Sequence, residues 1–239
     1  MTTLTSHSMC AIQQLEHNLS EIAQRFRQPR LASSLAAEDM VLTDAIARLH
    51  LPIAIFTLDT GRLHNETYEH LAKTEAHYAI RITTAHAKAS ELQAQVRAFG
   101  INGFYDSLEA RKACCRVRKV EPLARALTGA DAWITGLRRM QSETRAELLY
   151  ESTDQTHGCQ KFNPLLEWTE LQIWAYLSHF KVPVHPLQLR GYRSLGCQPC
   201  TRAIGDDEPL RAGRWWWESP EHKECGLHIA PQEKTHASH

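Results

Sequence analysis

The sequence predicts an α/β protein: a mainly parallel sheet with helices on both faces, followed by a mobile C-terminal tail. Three observations carry that expectation. Apolar runs of strand length alternate with stretches of helical periodicity. One run, Ile53, Ala54, Ile55, Phe56, Thr57 and Leu58, is nearly continuous in apolar character, as a strand covered on both faces must be. Beyond Gly205 the patterning gives way to charged residues, three tryptophans and a polar, His-rich end. The chain has 239 residues, 43% of them apolar, enough for one substantial core. Residues 1–204 are therefore expected as one unit, with 205–239 as a separate C-terminal segment.

Taken in order, Ile12, Leu15, Leu19, Ile22 and Phe26 recur at three- and four-residue steps and predict an amphipathic helix. A short run from Leu31 to Ser34 reads as a strand, and Val41, Leu42, Ala45, Ile46 and Leu49 as the helix after it. Pro52 introduces the apolar strand, which ends in Asp59, Thr60 and Gly61. Helices are expected over 66–77 and 88–99, and strands over 79–83 and 133–136. Thr169 and Gln172 have capping-box spacing ahead of Leu171, Trp174 and Leu177, and Pro183 stops that helix. No internal repeat is visible. In such a sheet, ligands bind beyond the carboxyl ends of the strands, which singles out the loops 33–39 and 59–64.

Acidic and basic residues balance at 27 each, so no global field recruits nucleic acid or an anionic membrane. No apolar run is long enough to cross a bilayer, and residues 1–10 lack the basic start and apolar stretch of a secretory signal. A cytoplasmic protein is expected, and its seven cysteines point to metal binding or catalysis before disulfides.

Cys197 and Cys200 form a C-x-x-C after Gly196, a spacing that lets two thiolates reach one centre. Cys114 and Cys115 are adjacent, and helical neighbours point about 100° apart. Both can therefore face one centre only if it is large or the helix is distorted. A zinc knot remains the simpler reading of four cysteines. The cations Arg111, Lys112, Arg116, Arg118 and Lys119 favour an iron-sulfur cluster, whose negative charge they would offset. A solvated helix face accounts for Arg111 better than for Arg118 and Lys119. Cys10 reads as incidental and Cys159 as structural. Cys225 lies in a polar stretch where His222, Lys223 and His228 would favour a reactive thiolate and Glu224 would oppose it; taken alone, an inert tail cysteine is the plainer reading.

Five ordered motifs together resemble the assimilatory adenylyl-sulfate reductases and the related 3'-phosphoadenylyl-sulfate reductases. They are Ser33-Ser34-Leu35-Ala36-Ala37-Glu38-Asp39, Leu58-Asp59-Thr60-Gly61-Arg62-Leu63, Cys114-Cys115 with Arg118-Lys119, Cys197 to Cys200, and Glu224-Cys225-Gly226-Leu227-His228. The resemblance implies an adenine nucleotide alpha hydrolase-like fold with a pyrophosphate-type loop (PP-loop). It also implies a 4Fe-4S cluster on Cys114, Cys115, Cys197 and Cys200, and Cys225 as catalytic nucleophile. The substrate, adenosine 5'-phosphosulfate, would lie on residues 33–39, near Leu58, Asp59 and Arg62, with Lys119, Arg145, Arg211, Arg214 and His228 supplying positive charge. Relatives often carry glycine where this chain has Ala36. The implied reaction releases sulfite and AMP through an S-sulfocysteine, with thioredoxin or a similar dithiol protein as partner.

Three other readings stay open on sequence alone. They are the same reaction on the 3'-phosphorylated nucleotide, an ATP pyrophosphatase-type adenylating enzyme, and a zinc-stabilised interaction module. A homo-oligomer is compatible with the Trp215, Trp216 and Trp217 run, although buried aromatics explain it as well.

Overall fold

The computed structural model describes residues 6–142, 145–219, 222–223 and 226–227. Its centre is a six-stranded sheet in the order β3-β2-β1-β4-β6-β5, built from β1 (Pro29–Ala32), β2 (Ala54–Asp59), β3 (Thr83–His86), β4 (Ala132–Ile134), β5 (Glu151–Asp154) and β6 (Cys159–Phe162). All neighbours pair parallel except β5 with β6, which form an antiparallel edge hairpin. The expected α/β class, with a mainly parallel sheet, is what the chain adopts.

Helices cover both faces, as the apolar central strands require. On one side α1 (Ser6–Arg25), α2 (Ala37–Arg48) and α7 (Glu170–His179) close over Leu31, Ile55, Ile134 and Phe162. All five residues of the predicted first stripe lie on that core, four of them at most 3% exposed and Phe26 partly buried. On the other side Leu123 and Leu127 of α6 (Glu121–Leu127) pack on Phe56 and Trp133. The remaining helices are α3 (Asn65–Tyr78), α4 (Ala89–Phe99) and α5 (Leu108–Cys115). No described helix is long and apolar enough to cross a membrane.

The capping box forms as expected. The Gln172 amide N–H donates to Thr169 Oγ1 at 3.2 Å, and the Thr169 N–H donates to Gln172 Oε1 at 2.8 Å. Two expectations shift. The strand expected over 79–83 lies at Thr83–His86, because α3 runs on to Tyr78 and Ala79 caps it in the left-handed region at φ 53°. Ile82 is buried from the connecting loop and not from a strand. Residues 108–127, unassigned from sequence, form two helices joined by a single π-helical turn, Arg116–Val120.

Because β1 pairs β2 on one side and β4 on the other, strand order reverses between β1 and β4. The crevice beyond their carboxyl ends is where a sheet of this kind presents a ligand.

Candidate active site

A cleft opens at that reversal point, lined by the segments that follow β1 and β4 together with β2. Leaving β1, the Ser33 N–H continues the ladder by donating to the Phe56 carbonyl at 2.8 Å. Leu35 then turns at φ 62°, in the left-handed region, while Ala36 is extended at φ −79° and ψ 170°. The position that would favour glycine is thus Leu35, and the alanine is accommodated. Leu35 is held in its conformation by a side chain buried in the core, so only its backbone faces the loop.

Asp39, in the first turn of α2, accepts from both the N–H and the hydroxyl of Ser34, at 2.7 and 2.5 Å. Burial pushes its carboxyl up to about 6, against the pull of those two donors. Gly136, just past β4, abuts the same carboxylate. A Cβ there would sit 2.3 Å from Asp39 Oδ1 and 3.0 Å from Glu38 Cβ, so glycine is needed for the loops to touch.

Of the residues expected at the nucleotide, Ser33, Ser34, Ala36, Glu38, Asp39 and Leu58 line the cleft. So do the cations Lys119, Arg145, Arg211 and Arg214, drawn from three separate stretches of chain. Leu35 and Ala37 are buried behind the loop. Asp59 accepts from the Gly61 N–H and the Tyr68 hydroxyl, both at 2.8 Å. Arg62 turns away from the cleft: its guanidinium lies 4.9 Å from the Phe104 ring centre and donates to Asn102 Oδ1 at 3.1 Å. Cys225 and His228 lie outside the described residues. Thr60, from the expected loop 59–64, also lines the cleft, and so do Gln141 and Arg193, which sequence reading missed. Gln141 and Arg193 lie in no sequence motif that could have flagged them.

Cys114, Cys115, Cys197 and Cys200 surround a second, smaller cavity, each 9% exposed or less, with Phe104 and the fully buried Trp215 packed around them. The π turn that begins right after Cys115 is the helix distortion that two adjacent cysteines need in order to share one space. Among the described residues no set of three His, Cys, Asp or Glu side chains is arranged to hold a single metal ion. The cysteines line a cavity and are not drawn into a knot.

Cations crowd this cavity. Arg111, Lys119 and Arg214 approach the Trp215 ring at 4.8, 5.8 and 4.6 Å. Gly196 makes room for Arg214, whose guanidinium carbon would lie 2.5 Å from a Cβ at that position. The competing reading of Arg111 as part of a solvated helix face does not hold: it is 1% exposed and paired with Glu218. For the free thiols, burial favours the neutral form. At Cys197 that effect is outweighed by Lys119, the Thr60 hydroxyl, Arg214 and Arg118, so its thiol falls below the usual range. Cys200, buried and beside Cys197, is pushed up to about 12, and burial also raises Cys114. Lys119 and Cys197 line both cavities and form the wall between them.

Residues 28–203 match the model of the phosphoadenosine phosphosulfate reductase domain. An adenosine 5'-phosphosulfate reductase from Burkholderia cepacia is 51% identical over 228 residues, 95% of this chain and 91% of the relative. One from Allochromatium vinosum is 52% identical over 220 residues, 91% and 86% of the two chains. Among solved structures, a phosphoadenylyl-sulfate reductase from Candida auris, in complex with phosphate, superposes with a TM-score of 0.68 at 22% identity. The match covers 85% of this chain and 99% of that one. An FMN adenylyltransferase from Candida glabrata shares the fold at a TM-score of 0.57 and 15% identity, covering 98% of this chain and 84% of its own. With its matched domain spanning the sheet, the loop after β1 and all four clustered cysteines, this chain belongs to the phosphoadenosine phosphosulfate reductase domain family.

Proposed function

We propose that the protein reduces adenosine 5'-phosphosulfate to sulfite and AMP, with a dithiol protein of the thioredoxin type as reductant, as a step of sulfate assimilation in the cytoplasm. The observation that carries this reading is the shared wall. Lys119 and Cys197 separate a nucleotide-sized cleft at the strand-order reversal from a cavity ringed by cysteines. Relatives half identical over nearly the whole chain, named for that activity, support it.

The cysteine cavity suits a 4Fe-4S cluster better than zinc. Four thiols face one space, two of them adjacent on a distorted helix, and buried arginine and lysine side chains offset the charge such a centre brings. Cys114, Cys115, Cys197 and Cys200 would hold it, and when bound it would supply a fixed electrostatic field beside the substrate.

The chain's own residues must bring two anions together, a thiolate and a sulfonucleotide. The first-turn N–H groups of α2 and the Ser33 hydroxyl suit a phosphosulfate, the Ser33 and Ser34 N–H groups being engaged by Phe56 and Asp39, and Lys119, Arg145, Arg211 and Arg214 surround it with positive charge. The Cys225 thiolate attacks the sulfate sulfur, forming an S–S bond as the S–O bond to AMP breaks and AMP leaves with the electron pair. A thiolate of the reductant then attacks the Cys225 sulfur, sulfite departs with the S–S electrons, and the second thiol resolves the mixed disulfide. Sulfur gains two electrons and the dithiol loses two.

The segment 205–239 is proposed to deliver Cys225. The Lys223 carbonyl accepts from Arg211 at 3.2 Å, and Leu227 lines the cleft, so residues on either side of Cys225 in sequence reach this site. The test is substrate-dependent sulfite release by anaerobically handled protein. Absence of sulfite with both the 5'-phosphosulfate and its 3'-phosphorylated form would overturn the reading. Cys225→Ser should bind nucleotide but form no sulfonated C-terminal peptide by mass. Cys197→Ser should lose iron and acid-labile sulfide.

A further inference from the structure

We infer that Gln141 is a positioning residue that locks Arg145 to the phosphate loop, so that the loop after β4 and the loop after β1 bind the sulfonucleotide as one unit. This rests on the substrate reading above but names a device that reading does not contain. The chain of contacts starts at Glu38, a carboxylate in the cleft wall where an anion is to bind. Left bare it would repel substrate. Instead Arg138, only 3% exposed, donates to Glu38 Oε1 from Nε at 2.9 Å and from Nη2 at 2.8 Å. Its third arm donates to the Trp168 carbonyl at 3.1 Å. Arg138 is thereby consumed as a structural cation and cannot serve the substrate.

Gln141 extends that anchored pair towards the cleft. Its Nε2 donates to Glu38 Oε1 at 3.0 Å, and its Oε1 accepts from the Arg138 N–H at 3.1 Å. The same Oε1 accepts from Arg145 Nη1. One neutral side chain thus ties an acid of the phosphate loop to a cation of the facing loop. Only an amide does both: a carboxylate would face Glu38 as a like charge, and an apolar residue would hold neither. Glutamine also accepts from Arg145 without adding a negative charge of its own, as a carboxylate partner would.

A double-mutant cycle tests this. Binding of adenosine 5'-phosphosulfate is measured by calorimetry for wild type, Gln141→Met, Arg145→Met and the double variant, alongside KM and kcat for sulfite release and thermal unfolding of each. Gln141→Met should weaken binding on the order of tenfold, with KM rising and kcat nearly unchanged. In the Arg145→Met background it should cost no more than about twofold, because its partner is already gone. Gln141→Glu, which keeps the acceptor for Arg145 but repels Glu38 and neutralises the arginine, should bind no better than Gln141→Met and unfold at a lower temperature than wild type. Additive losses would overturn the inference, as would wild-type affinity in Gln141→Met. Wild-type protein that binds no sulfonucleotide and releases no sulfite would instead sink the functional reading on which it rests.

Discussion

Arg111 and Glu218, 107 residues apart in sequence, form a two-pronged ion pair at 2.9 and 2.7 Å with 1% and 9% of their side chains exposed. Arg111 also donates to the His222 carbonyl at 2.6 Å and lies over the Trp215 ring. One guanidinium therefore joins α5, which carries Cys114 and Cys115, to the stretch of chain after residue 205. Glu218→Leu should remove the carboxylate partner of a buried cation and cost about 3–5 kcal/mol. Denaturant unfolding checks this, and the paired replacement Arg111→Met with Glu218→Leu should recover most of the loss. Equal destabilisation in the single and paired variants would show that the pair contributes little.

A second prediction follows from the contact at Gly136. Its missing Cβ is what lets the loop after β4 meet Asp39 and Glu38, and Gly136→Ala places a methyl 2.3 Å from the Asp39 carboxylate. The phosphate loop must shift to relieve the clash, at a cost of about 1–3 kcal/mol. Nucleotide affinity should fall by at least about tenfold, read by calorimetry. Gly205→Ala, with open space around its position, serves as the control that changes neither.

What the sequence makes legible tracks how local each cause is. The helix stripe from Ile12 to Phe26, the apolar β2 and the Thr169–Gln172 cap are set by spacings within a turn or a strand, and each forms where expected. The β5–β6 hairpin escapes sequence reading because an edge pair made of Glu, Ser, Thr and Asp against Cys, Gln, Lys and Phe carries no clear alternation. β3 lies further along than expected because its own residues are mostly exposed, while the more apolar Ile80 and Ile82 just before it pack from a loop. Arg111 reads as surface because its partner stands 107 residues away. The cysteine pairs are legible as a set, but the π turn that lets Cys114 and Cys115 share a cavity has no signature in Arg116, Val117 or Val120. Likewise Gln141 gains meaning only when Glu38 is brought opposite it by the pairing of β1 with β4.

The raised carboxyl of Asp39 gives a pH dependence of binding. Its folded value of about 6 lies above the ordinary 3.8, owing first to burial, so it is ionised at neutral pH and neutral in mild acid. An anionic nucleotide in the cleft is repelled by the ionised form, so affinity should rise as pH falls through about 6. By linkage the bound anion should also push the carboxyl higher and take up a proton. Asp39→Asn, which keeps an acceptor for Ser34, should bind with a flatter profile between pH 7 and 5. Parallel profiles for the wild type and Asp39→Asn would refute the assignment.

The opposite sign governs stability through two buried histidines. His70 and His185 meet edge to face at 5.1 Å between ring centres, 2% and 0% exposed. The Leu187 N–H donates to His185 Nδ1 at 3.2 Å, which leaves Nε2 as the protonated nitrogen facing Thr67 Oγ1 at 3.0 Å. A second proton would place two donors against each other. Burial, first, and then the neighbouring cations, Lys73 at His70 and the other histidines at His185, lower both to about 4, while Glu66 pulls His185 the other way. In the unfolded chain each takes up a proton near pH 6.5. Their contribution is therefore complete above that value and is lost as pH falls from 6.5 towards 4, by roughly 1–2 kcal/mol per group after allowance for solvent screening. Urea midpoints measured across this window should fall with acid, and less steeply in His70→Leu, where an apolar side chain of similar volume removes one of the two sites. An equally steep fall in that variant would assign the acid sensitivity to other groups.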